Sequence, residues 1–377
     1  MTSWLVGGVA VALILIIIWD AFETILVPRR IGRRIRLTRY FYLVTWRVWR
    51  GLARRVRKPA RREGLLGFYG PLSLILLLSC WAAGLILAFA LLEFATRARA
   101  GAPPEPFGVL LYMSGETFFT LGFGDFTPTT GLGRALAVLE AGLGFGFLGT
   151  VIGYLPTMYA GFAQREIEIS LMDARAGSPP TAAEFLRRTP PADRDELCDT
   201  VLSAWERWAA QLLETHISYP QLAYYRSQHS NQSWLGALVT ILDSTSLLLA
   251  RPGSLHSSQT KLTFAMARHA LVDITQIFVP RYTPSASERL TPEALRLMRT
   301  QLADSPQILP DTADFATRLA QLRLLYEPYA QALAAYLLFD LPPWVHAQPR
   351  RDNWKGGPWD KLLSSRPGSA LSSDEHF

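Results

Sequence analysis

The chain is 377 residues long, with 49% hydrophobic and only 18% charged residues, which is room for two domains and unusually apolar for a soluble one. Its net charge of +7 is unevenly held: 14 of the 38 Lys and Arg fall between residues 28 and 63, where Glu63 is the only acidic residue, a local +13 that leaves −6 elsewhere. A basic block set between two apolar stretches argues for membrane topology and against a nucleic-acid-binding face, and two cysteines, Cys80 and Cys198, are too few for a disulfide framework or a zinc site.

Residues 1–3 carry no Lys or Arg and no small-residue cleavage site precedes Arg29 and Arg30, so a cleaved signal peptide is not expected. Residues 4–27 form the first apolar run long enough to cross a bilayer, which takes about 20 helical residues. Asp20 and Glu23 near its end are costly in lipid; they mark a functional site or pair with Arg29, Arg30 or Arg33 at the interface.

Residues 28–64 form a basic linker. Within it Tyr40, Phe41, Tyr42, Trp46 and Trp49 alternate with Arg47, Arg50, Arg54 and Arg57 at helical spacing. That pattern predicts an interfacial helix with its rings at headgroup depth and its arginines on anionic lipid of the inner leaflet. Plain positive-inside anchoring explains the same residues.

The second and third apolar runs cover residues 65–94 and 132–159. Short Arg-rich loops stay cytoplasmic, which puts the N-terminus outside, the 28–63 segment inside, the 95–131 segment outside and everything after about residue 160 in the cytoplasm. Between these runs, Pro103, Pro104 and Pro106 make a turn and residues 107–119 form an apolar segment too short to span. Irregular backbone at membrane depth survives only where protein buries it or it lines a water-filled cavity. A re-entrant helix followed by Gly122 and Gly124 meets that condition.

Residues 120–125 read Thr120, Leu121, Gly122, Phe123, Gly124, Asp125. The two glycines permit positive φ, so successive carbonyls can face one axis. Phe123 is free to pack outward against the pore helix, and Asp125 places a negative charge at the outer mouth. The hexapeptide resembles the signature of the tetrameric potassium channels, and the likeness extends over residues 65–160. It implies a homotetrameric pore whose backbone carbonyls at Thr120, Leu121, Gly122 and Phe123 bind potassium in place of its hydration shell. Leu121 and Phe123 depart from the commonest Thr-Val-Gly-Tyr-Gly form while keeping apolar bulk. The resemblance further implies a proton-sharing pair of Glu116 and Asp125 that controls inactivation, and an inner-helix hinge among Gly142, Gly144 and Gly146. Pro156 can add a second kink.

A helical continuation over residues 164–175 ends at Gly177, Ser178, Pro179 and Pro180. Residues 161–180 therefore read as connector, 181–345 as an all-α cytoplasmic domain and 346–377 as a disordered tail. Leu197, Val201, Trp205, Trp208 and Leu212 repeat at three and four, with prolines at 220, 252, 280 and 310 between helices. The Trp205 and Trp208 pair reads as core, and histidines such as His216, His229, His256 and His269 show no metal-ligand spacing. No nucleophile elbow, P-loop or H-E-x-x-H motif occurs, so no enzyme activity and no cofactor beyond filter potassium is expected.

The sequence thus predicts an all-α pore-loop channel subunit of a bacterial inner membrane, with no nucleic-acid partner and no regulatory ligand assigned. A poorly selective cation channel and a non-conducting membrane receptor or assembly protein with a vestigial pore stay open as alternatives.

Overall fold

Apolar runs of this length satisfy their backbone in lipid only as helices, and the computed structural model shows helices in all three. It describes residues 2–27, 36–189, 194–229, 231–251, 258–281, 288–303, 309–348 and 352–353. Every regular element among the described residues is helical. Among the described residues, three helices are long and apolar enough to cross a membrane. Arg29, Arg30, Arg33 and His256, with most of the tail expected to be disordered, lie outside the described residues.

Contacts divide the chain into two units, the first comprising Met1–Phe162 with Thr215–Tyr225. In it α1 (Thr2–Ile25) packs along α3 (Pro59–Ala100), and α2 (Leu37–Arg55) lies against both. The pore helix α4 (Phe107–Phe118) rests on α3, and α5 (Gly131–Ala176) runs unbroken through Pro156. At 1.5 Å per residue α3 and α5 each extend roughly 60 to 70 Å, about twice the hydrocarbon thickness. Gly101, in the left-handed region at φ +64°, closes α3.

The aromatic residues of α2 are placed otherwise than expected. Trp46 is 3% exposed and packs on Tyr69 and Tyr224, Tyr42 stacks on Tyr224, and Trp49 lies against Tyr69. Burying these rings on protein removes more apolar surface from water than an interface would. Helix α2 leaves exposed Leu37, Tyr40, Leu43, Val44, Val48 and Leu52 beside Arg39, Arg47, Arg54 and Arg55; Arg57 just beyond is exposed too, and Arg50 is half-buried. Asp20 accepts hydrogen bonds from Thr38 and Trp81; its expected partners Arg29, Arg30 and Arg33 lie outside the described residues. Glu23 reaches the Trp19 indole and Arg36.

The second unit comprises Ala163–Glu214 and Arg226–Phe377. Its helices after the end of α5 are α6 (Ala182–Arg188), α7 (Arg194–Ser218, whose last residues belong to the first unit), α8 (Trp234–Ala250), α9 (Ser258–Phe278), α10 (Pro292–Gln301), α11 (Ala313–Leu324) and α12 (Glu327–Leu337). Helix α8 is buried on nearly all sides by α6, α9, α11 and α12, the state expected of a helix apolar all round. Its one carboxylate, Asp243, meets Arg289 at 2.6 Å and the Tyr326 hydroxyl at 2.6 Å. Trp205 and Trp208 are core, the former against Phe185 and the latter donating its indole N–H to the Arg165 carbonyl. Among the described residues, side-chain N-caps come from Thr181, Ser233, Thr291 and Thr312.

Candidate functional site

Helix α4 ends at Phe118, and its last turn closes with the Phe119 and Leu121 amides on the Gly115 and Glu116 carbonyls. Its C-terminus, the negative end of the helix dipole, runs directly into Thr120. Residues 121–124 then form no helix. Gly122 and Gly124 sit at φ +65° and +76°, as their lack of a Cβ allows. Thr120 also has a positive φ, +55°. A threonine there is strained, and the sequence reading missed it. Three left-handed residues at every second position keep the backbone from the alternation of a β-strand, which would send carbonyls to opposite sides.

Glu116 is buried on the last turn of α4, and its carboxylate accepts a 2.9 Å hydrogen bond from the Gly124 amide. Asp125 instead accepts from the Tyr112 hydroxyl at 3.4 Å. The two carboxylates of the expected Glu116–Asp125 pair thus each accept a hydrogen bond from a different donor. Phe123 is 68% exposed on the single chain and does not pack against its own pore helix, contrary to expectation. The whole loop from Leu121 to Gly124 is similarly open.

Two attachments behind the loop had not been anticipated. The Ser114 hydroxyl of α4 is bonded to the Ile86 carbonyl of α3, 2.7 Å away, and to the carboxyl of Glu140 on α5. Glu140 is 5% exposed; a lone acidic residue in an apolar span was the available signal. Arg97, at the end of α3, donates to Thr129 and to the Pro103 carbonyl, both at 3.1 Å, fastening the loops on either side of α4 and the filter segment.

The three candidate hinge glycines separate. A Cβ on Gly144 would fall 1.9 Å from the Phe118 carbonyl oxygen, whereas one on Gly142 or Gly146 meets nothing within 4 Å. Gly144 thus lets α5 pass the end of the pore helix at backbone distance, while Pro156 lies on the same unbroken helix twelve residues on. Among the described residues no three His, Cys, Asp or Glu side chains converge as a metal cradle.

Three membrane-capable helices, a re-entrant fourth and a glycine-bent loop define an all-α pore-loop membrane protein. Residues 75–160 match the family model described as ion channel, so the chain carries an ion-channel domain there. Comparison with curated proteins and with solved structures returns no match.

Proposed function

We propose that this chain is one subunit of a homotetrameric, potassium-selective channel that conducts passively across a bacterial inner membrane. The observation that carries the reading is the left-handed backbone at Thr120, Gly122 and Gly124, held at its outer end by Glu116. Replacing the water shell of potassium takes consecutive carbonyls directed at one axis, and one loop supplies only a quarter of the ring. The exposure of Leu121 and Phe123 on the single chain fits packing against sister subunits around a fourfold axis. The basic segment after α1 supports a topology with residues 28–64 and everything after about residue 160 in the cytoplasm and Asp125 outside. Exposed Arg47, Arg54 and Arg57, with Arg50 half-buried, would then rest on anionic headgroups.

Rubidium uptake into proteoliposomes loaded with potassium tests this, with Gly122→Ser as control. A side chain at φ +65° is strained and distorts the ring, so uptake should fall to background. Reversal potentials with potassium opposite sodium test selectivity. Uptake equal in wild type and variant, or a reversal potential at zero, defeats the proposal in favour of a vestigial or a non-selective pore respectively.

A further inference from the structure

Helix α7 stops two residues before Pro220, whose ring cannot continue it. The chain then makes a short 3-10 helix, Pro220–Tyr224, closed by amides of Leu222 and Tyr225 on the Tyr219 and Leu222 carbonyls. Although this stretch lies between α7 and α8 in sequence, it belongs to the first unit, with the membrane helices.

Residues 219–225 carry three tyrosines, and each finds an aromatic partner. Tyr224 enters a socket of Tyr42 and Trp46 from α2 and Tyr69 from α3, with ring centroids 5.6, 5.0 and 5.1 Å away. Tyr219 packs on Tyr154 of α5 at 5.5 Å, and Tyr225 on Phe162 of α5 at 5.8 Å. Between them Leu222 is buried among Leu74, Tyr154 and Met158. Gln221 donates its amide to the Tyr154 hydroxyl and lies 3.7 Å from the Met158 sulfur. Such aromatic pairs contribute beyond their buried area.

Helix α5 is otherwise attached where Glu140, Gly144 and Phe147 meet the pore helix. It is thus fastened near residues 140–147 and again near 154–162, and the second fastening is made largely by this stretch. A helix tied at both ends of a glycine-rich segment has one arrangement; cut at the lower tie, it can swing about Gly144.

We propose that residues 219–225 are a hook that clasps α5 around Tyr154 and Met158 to the α2–α3 frame, and that its release changes the opening of the pore. The proposal rests on the channel reading. It differs from control through the continuous α5 helix, because the hook reaches α5 from a separate part of the sequence.

The test uses the full chain in proteoliposomes. Gly70 is the wedge: a Cβ there would lie 2.7 Å from the Tyr225 ring, whereas one at Gly67 meets nothing within 4 Å. Gly70→Ala should speed hydrogen exchange at the amides of residues 222 and 225. It should also shift single-channel open probability about fivefold or more, the low end of typical coupling, with unitary conductance as in wild type. Gln221→Leu, which leaves α3 intact, should shift open probability in the same direction. Gly67→Ala should change neither. Freed amides with unaltered open probability, or amides that exchange as fast in wild type as in an unfolded peptide, overturn the hook. A wild-type chain that passes no ion while those amides are protected defeats the channel reading, and the gating role falls with it.

Discussion

The carboxylate of Asp20, within α1, accepts a 2.6 Å hydrogen bond from the Thr38 hydroxyl and a 3.1 Å bond from the Thr38 amide at the start of α2. It also accepts from the Trp81 indole of α3 at 3.1 Å, so one acid joins three helices. In effect it is an N-cap supplied from eighteen residues upstream, satisfying an amide that α2 itself leaves without a side-chain cap.

Asp20→Ala strips three buried donors of their acceptor, at a cost of about 1–3 kcal/mol. The variant should unfold at lower temperature in detergent and exchange the Thr38 amide faster. Asp20→Asn keeps one acceptor oxygen and should fall between. Unchanged melting and exchange in the alanine variant would show that α2 is held by its aromatic face alone.

At Gly144 the prediction is steric. Since a methyl group would overlap the Phe118 carbonyl at 1.9 Å, Gly144→Ala must push α5 off the pore helix or unwind the turn leading into Thr120. Folded yield and rubidium uptake should both collapse. Gly142→Ala and Gly146→Ala, open on the single chain, should yield folded protein at wild-type levels. Equal tolerance at all three positions would mean that α5 and α4 do not approach as closely as described.

The membrane helices were legible because their signals are one-dimensional: apolar length gave α1, α3 and α5, and Gly122 with Gly124 gave the bend. What escaped is three-dimensional. The ring pattern of α2 resembles an interfacial helix, and only Tyr69 and Tyr224, distant in sequence, reveal that the rings face protein. Nothing local marks residues 219–225 as part of the membrane unit; Pro220 announced a break and not a destination. Glu116 was picked out by its position, but its partner depended on loop geometry that periodicity does not encode.

That partner makes a sharp test. If Glu116 and Asp125 shared a proton, Glu116→Gln and Glu116→Ala would disturb current decay alike. With Gly124 N–H as the partner, glutamine still offers a carbonyl oxygen and alanine offers nothing. The alanine variant should show faster decay and smaller sustained current than wild type, with glutamine close to wild type. Identical decay in both variants would count against the Gly124 bond as a support of the filter.

In the second unit a pH dependence follows from Glu184. It sits three residues after the Thr181 cap, whose hydroxyl accepts from the Glu184 amide. Burial alone would raise its pKa, but hydrogen bonds from Arg187 and Arg188 outweigh that and bring it from the ordinary 4.5 down to about 2. Arg188 meanwhile holds Asp352 at 2.9 Å and donates to the Asp173 and Ala174 carbonyls at the end of α5. Glu184 therefore steadies the arginine that caps that helix. A group whose pKa is depressed by folding stabilises fully above its unfolded value and ceases to do so as pH falls through the folded one. Wild type should accordingly melt above Glu184→Gln by a constant margin from pH 7 down to about 5. The margin should then shrink between roughly pH 4.5 and 2, as the unfolded and then the folded carboxyl take up protons. A margin unaltered down to pH 2 would place the contribution of Glu184 in packing and not in its charge.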